Sequence, residues 1–444
     1  MIFNKTKKNL NSFQVIILGF LAIILVGTLI LCLPFSSKDG KFTAFSDALF
    51  TAVSATCVTG LAVKDTATYW SMFGQFIILI MIQIGGMGVI TFALAIIKAS
   101  GKKIRLWQMS TMQSSISAPQ LGDIVRLTGF ILKTSAIIEL IGAILLAPVF
   151  IGDFGFFKGV WYAVWHSVSA FCNAGFDLMG VKSPFSSLTS YSLNGYLNLV
   201  ICALIFVGGI GFLVWNDVVK NKFNFKKYSL QSKIALITSA VLIVLPAIYF
   251  FFSEYSSLPF GERFLASLFQ SVTARTAGFN TQDLSKMSES GTLTMIFLML
   301  VGGSPGSTAG GMKTTTLAVL IVYAVAVFSR ENDAKCFKRR LTETALKNAS
   351  AILFTYLAMF IVGGVIICNI EGLPLLTCLF ETASAIGTVG LTLGITGGLS
   401  LTSRFILILL MFFGRVGGLT IIYATLPQNQ NLNSRLPSED VTVG

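Results

Sequence analysis

Long apolar runs alternate with short polar stretches along this chain, and they come in sets of three. Residues 14–33 can cross a bilayer core of about 30 Å. A short apolar run follows at 48–55, and a second long run occupies 70–98. The short run is preceded by Ser46 and Asp47, which suit a helix N-terminus, and leads into Thr56, Cys57, Val58, Thr59 and Gly60. At ~15 Å of helix it reaches only half way across. The pattern therefore predicts a helix that enters the membrane, stops, and turns back through Gly60. Non-helical backbone at that depth survives only inside protein or beside water.

The same pattern returns three times. Long runs at 125–150, 234–252 and 350–368 precede short helices at 159–171, 261–274 and 374–385. These lead into the turns Cys172-Asn173-Ala174-Gly175, Arg275-Thr276-Ala277-Gly278 and Gly387-Thr388-Val389-Gly390. Second long runs follow at 196–219, 293–328 and 404–426. The turn glycines lie 115, 103 and 112 residues apart, and a serine precedes the glycine by six positions in three copies, with Val272 in that place in the third. Each second span holds a glycine pair, at 85–86, 208–209, 302–303 and 417–418, read as a helix-packing contact. Such repetition predicts an all-α polytopic membrane protein of four span–half-helix–span repeats (12–98, 123–220, 233–328 and 348–426) with a tail at 427–444. The half-helices face one another around a pseudo-fourfold central pore.

Composition agrees. Of 444 residues 54% are apolar and 11% charged, less than half the share of about 25% in soluble domains. The first apolar run is too long for a cleaved signal segment. The net charge of +13 belongs to membrane topology rather than to nucleic acid: 21 Lys and Arg fall in segments on the side of the termini, against 8 on the other. Both termini are thus expected in the cytoplasm, with the half-helices entering from outside. The seven cysteines form no CxxC pair and suggest neither a disulfide framework nor a metal site.

Four turns around one axis make rings of backbone carbonyls, which can replace a cation's hydration shell. The expected filter is Thr56, Cys57, Val58, Thr59, Gly60, Cys172, Asn173, Ala174, Gly175, Arg275, Thr276, Ala277, Gly278, Gly387, Thr388, Val389 and Gly390, with a cation held there alone. Arg275 would repel a cation if it faced the path, so it is expected behind the turn, bracing carbonyls or pairing with Glu262 or Glu381. His166, the single histidine, is expected to pack. The second span of repeat three is interrupted by Gly302, Gly303, Ser304, Pro305, Gly306, Ser307, Thr308, Ala309, Gly310 and Gly311. A helix cannot continue through that composition. With Lys313 and Arg415 these residues are expected to form a gate on the cytoplasmic side of the filter, Arg415 holding the loop through its carbonyls or repelling cations.

These repeats, the single glycine per turn, the Gly/Ser/Thr break, and RTAGFN at 275–280 resemble the Trk/Ktr/HKT superfamily of potassium transporters. They look most like the KtrB-type membrane subunits of bacterial Ktr systems. The resemblance implies potassium uptake or symport at a bacterial plasma membrane, activation by sodium, and a homodimer with one pore per subunit. It also implies a KtrA-like cytoplasmic ring of nucleotide-binding regulatory subunits, besides contact with membrane lipid. Glycine rather than serine at position 60 implies potassium preference. A sodium-conducting relative is the nearest alternative. A membrane enzyme is the remote one, since no HExxH, paired aspartates or Ser/His/Asp set is present.

Overall fold

The computed structural model describes residues 11–99, 109, 111, 113, 124–222 and 224–425. Most of the basic segment between repeats one and two (with Lys102, Lys103 and Arg105), the starting residue 123 of repeat two, the closing residue 426 of repeat four, the tail at 427–444, Lys5, Lys7, Lys8 and Arg435 lie outside the described residues.

The described residues are mostly helical. Among the described residues, four helices are by themselves long and apolar enough to cross a membrane: Ser12–Cys32, Arg126–Phe154, Leu230–Glu254 and Glu343–Glu371. They are the first spans of the four repeats. Their large apolar side chains, such as Leu25, Leu140, Leu245 and Phe354, are more than half exposed, as lipid-facing positions require. The short helices behave oppositely. Phe45–Thr56, Phe156–Phe171, Phe260–Thr273 and Leu375–Gly387 bury their last turns inside the bundle. The first begins one residue before Ser46, capped by Ala44 with no side-chain bond. Asp47 instead pairs with Arg404 at 2.9 Å and Lys64 at 3.5 Å. That pairing joins the first half-helix to the last span. At the opposite end of the bundle, the Gln14 side chain donates to the Ala424 carbonyl at 3.1 Å.

The second span of repeat three was expected to be broken, and the other three are broken too. Met72–Met87 gives way to Val89–Ala99 at Gly88, Gly195–Gly209 to Phe212–Asn221 at Gly211, and Leu401–Val416 to Gly418–Thr425 at Gly417. The last two breaks bend the chain by 95° and 92°. Gly88, Gly211 and Gly417 have φ of +88°, +99° and +90°, a conformation costly for any residue with a Cβ. In repeat three, the whole of 301–313 separates Glu289–Leu300 from Thr314–Phe328.

Three residues before each single-glycine break lies the true packing glycine. A Cβ at Gly85, Gly208 or Gly414 would sit 2.0 Å from the carbonyl of Thr56, Phe171 or Ile386, each four residues before its turn glycine. The pair 417–418 is thus out of register with 85–86 and 208–209: it marks the bend, and Gly414 makes the contact. The basic segment after repeat three folds into a small hairpin, Lys335–Cys336 against Arg339–Arg340.

Candidate functional site

The four turns meet at one centre. A Cβ built on Gly60 would lie 2.5 Å from the Ala174 carbonyl oxygen; on Gly175, 2.8 Å from that of Ala277; on Gly278, 2.3 Å from that of Val389; and on Gly390, 2.1 Å from that of Thr59. Each glycine thus faces the carbonyl that precedes the next repeat's glycine, and the fourth closes on the first. Only a residue without a side chain fits. The backbone repeats as faithfully. The glycines have φ of +92°, +69°, +81° and +93°, and two positions earlier Val58, Asn173, Thr276 and Thr388 are also left-handed, at +57°, +58°, +64° and +52°. Non-glycine residues seldom adopt this conformation, and a cluster of them marks a functional constraint.

Each turn is tied to its own half-helix. The amides of Thr59, Ala174 and Val389 donate to the carbonyls of Ser54, Ser169 and Ser384, all at 2.8 Å. Ser54 and Ser384 hydroxyls accept from the glycine amides of Gly60 and Gly390 at 3.1 and 3.0 Å. Ser169 donates to the Phe176 carbonyl at 2.7 Å, and Thr273 donates equivalently to that of Phe279 at 2.5 Å. Repeat three therefore reaches its glycine with one residue fewer, which is why Val272 stands where a serine was expected. The hydroxyls of Thr56, Thr59 and Thr388 are buried at this centre without a protein partner. The C-terminal ends of the half-helices lie beside it, each carrying about half a negative charge from the aligned peptide dipoles.

The side chains of Cys172, Cys57 and Arg275 are engaged elsewhere. Cys172 lies against Gln83 at 3.6 Å, and Gln83 donates to both oxygens of Glu139 at 2.8 and 3.0 Å. Cys57 packs among apolar residues. Arg275 points behind its turn, to the carbonyls of Ser239 at 3.0 Å and Gly302 at 3.3 Å. Carbonyl bracing is thus observed, whereas pairing with Glu262 or Glu381 is not. Glu381 is occupied by the hydroxyls of Thr392 and Thr396.

The loop at 301–313 lies beneath this centre, held directly by repeats two and four and linked to repeat one through Arg415. A Cβ on Gly310 would meet the Thr388 hydroxyl at 2.1 Å. Repeat two holds the loop at several points: Ser304 N–H donates to the Gly209 carbonyl at 2.9 Å, Phe212 N–H to that of Gly306 at 2.6 Å, and the Thr308 hydroxyl to that of Phe171 at 3.1 Å. The Asn173 side chain meets Thr308 and reaches across to the Arg275 carbonyl at 3.3 Å. From repeat four, Arg415 donates to the Thr308 carbonyl and also to those of Gly85 and Gly86 in repeat one. Lys313 turns back on the loop, donating to the Ala309 carbonyl at 2.8 Å rather than snorkelling away. Within the loop Gly302 N–H bonds the Met312 carbonyl at 2.8 Å, pinching its base, while Gly303 and Ser307 pack together. Pro305, Gly306, Ser307, Ala309, Gly311 and Arg415 border a cavity of about 310 Å³ at the end of the bundle where the first span begins.

Three features escaped the sequence reading: the single-glycine breaks, the Arg415 bridge to Gly85 and Gly86, and contacts of His166 and Glu381 with the chain leaving their turns. The last had a usable signal, since both residues lie nine positions before a turn glycine.

The sequence profile of the family described as "TrkH: Cation transport protein" matches residues 4–434. The potassium/sodium uptake protein NtpJ of Enterococcus hirae is 39% identical over 451 residues, covering 99% of both chains. The Ktr system potassium uptake protein B of Bacillus subtilis is 38% identical over 437 residues, covering 97% of this chain and 96% of that protein. The crystal structure of the potassium transporter TrkH from Vibrio parahaemolyticus superposes with a TM-score of 0.73 at 19% identity, over 96% of this chain and 87% of that one, and so shares the fold.

Proposed function

The chain belongs to the TrkH family of cation transport proteins, a family of multi-pass membrane transporters rather than enzymes, and from that premise we propose that it is the potassium-translocating membrane subunit of a regulated uptake system. The observation that carries the reading is the closed cycle of glycine-to-carbonyl contacts through Gly60, Gly175, Gly278 and Gly390. Backbone oxygens around such a centre can stand in for the water of a potassium ion, and the ring excludes side chains that would occupy its place. Thr56, Thr59 and Thr388 add hydroxyls with no other partner, and the negative helix ends favour positive charge. Inward flux is driven by the membrane potential, worth about 2.3 kcal/mol per charge per 100 mV.

Under this reading residues 302–311, Lys313 and Arg415 form the gate. The loop is polar, glycine-rich, and bonded to repeats two and four. A cytoplasmic nucleotide-binding ring would act on it from the basic inner face, both termini lying on that side of a bacterial plasma membrane. The subunit works as a homodimer with a pore in each copy, sodium serving as activator.

The test is tracer uptake into proteoliposomes holding this chain alone, comparing rubidium, sodium and lithium. Rubidium should enter in preference to sodium, and Gly60→Ser or Gly278→Ser should erase that preference. Variants with wild-type discrimination would remove the filter assignment. A sodium-conducting reading is kept because NtpJ, similar over the whole chain, is named a potassium/sodium uptake protein. Equal rubidium and sodium uptake by the unaltered protein would favour it.

A further inference from the structure

We infer that His166 and Glu381 are a matched pair of positioning residues, each fixing the outgoing strand of one proposed filter turn to its half-helix on opposite sides of the ring. The inference rests on the filter reading and deepens it. Both residues stand nine positions before a turn glycine, on the half-helices of repeats two and four. Both are fully buried.

The His166 ring is fixed at both nitrogens. Nδ1 lies 2.7 Å from the Tyr162 carbonyl, which only accepts, and Nε2 lies 3.4 Å from the Leu178 amide, which only donates. These partners require the neutral ring with its proton on Nδ1. Leu178 is three residues past Gly175. The ring also packs on Phe150 and on Phe279, the residue after the glycine of repeat three, with centroids at 4.8 and 6.3 Å. In repeat four the Glu381 carboxylate accepts from the Thr392 hydroxyl and, at 3.0 Å, from that of Thr396. Thr392 and Thr396 lie two and six residues past Gly390, so different chemistry makes the link between outgoing strand and half-helix in both repeats.

The other two repeats do not make it. Thr51, nine before Gly60, bonds its own helix at the Asp47 carbonyl, 2.9 Å away. In repeat three Phe269 has no polar group. Gln270, which takes the position once the missing residue is allowed for, meets Tyr255 and Met295. The ring therefore has a twofold support behind a fourfold backbone. Turns two and four carry this added link, while one and three keep only the bonds of the turn itself to its half-helix. A carbonyl ring discriminates between ions through its spacing and its stiffness, so these two side chains set discrimination without touching the ion.

The experiment measures the ratio of rubidium to sodium uptake in proteoliposomes of the full chain for His166→Ala, Glu381→Ala, the conservative His166→Gln and Glu381→Gln, and Thr51→Ala as the position-matched control. Each alanine variant should lower the ratio about tenfold, the scale of one lost charge-assisted or buried hydrogen bond. Each glutamine variant, keeping an acceptor, should recover most of it, and Thr51→Ala should leave it unchanged. If an alanine variant does not fold, Thr392→Val with Thr396→Val takes the donors from the carboxylate and should lower the ratio in the same direction. Alanine variants that fold and keep the wild-type ratio, or glutamine variants that recover nothing, would overturn the inference. Gly278→Ser in the same series separates the two readings. If it alone shifts the ratio, the filter stands and the support falls. If it shifts nothing, the filter itself is lost.

Discussion

The second spans of repeats three and four solve the same problem differently. In repeat four a single residue, Gly417, turns the chain by 92° and the helix resumes at once. In repeat three the break is widened into 301–313, a segment that bonds repeats two and four before the helix resumes at Thr314. The comparison teaches that a break at this depth belongs to the architecture, and that only its length is special. In repeats one, two and four, Gly85, Gly208 and Gly414 press against a half-helix end three residues before the break. Repeat three uses the same opening to place backbone under the ring.

The sharpest way to break the comparison is to make repeat three like the others. Deleting residues 304–310 leaves ends that already meet, because Gly311 lies against Gly302. We expect rubidium flux through the chain alone to rise by about tenfold or more, on the premise that a constriction is removed. Unchanged flux in a folded deletion would mean the loop is no barrier.

Arg415→Gln tests the bond that runs from repeat four to the loop and to repeat one. It removes charged donors from three carbonyls. Hydrogen bonds to charged groups contribute about 1.5–3 kcal/mol each, so basal flux should rise severalfold while the rubidium-to-sodium ratio holds. A fall in flux would show that the guanidinium supports conduction instead.

Gly417→Ala probes the plain break. The nearest atom to the added methyl would be the Thr420 hydroxyl oxygen at 3.8 Å, so space is available and only φ of +90° is violated. Left-handed backbone costs an L-residue about 1–2 kcal/mol, and a thermal melt in detergent should drop by a few degrees with little change in flux. A large rise in flux would put a second gate at that bend. The smallest effect belongs to Arg404→Gln. Its pair with Asp47 is partly exposed, and such pairs contribute about 1 kcal/mol or less. A melt shifted by more than the Gly417 variant would show the seam to be a main support.

Much of this was legible in the chain. The four turns were visible because a half-length apolar run ending in small residues and glycine has few other uses inside a membrane. The loop was visible because five glycines and a proline within 301–312 cannot be helical. Gly88, Gly211 and Gly417 were not, since one glycine in a long apolar run reads as a tolerated helix residue. The register of repeat four was misjudged for a related reason: Gly414 stands alone beside Arg415, whereas 417–418 offered a conspicuous pair. Arg275 was correctly expected behind its turn, but its partners are carbonyls that no spacing rule identifies. His166 read as packing because its amide partner lies twelve residues away on a strand whose path only the fold reveals.

The contact of Asp47 with Arg404 spans 357 positions, and that of Gln14 with Ala424 spans 410. The ring closes at this same seam, where Gly390 meets Thr59. If the ring is the filter proposed above, a chain that has released only three quarters of its length into the bilayer would hold an open horseshoe of peptide groups, and conduction would wait for the last helix to arrive.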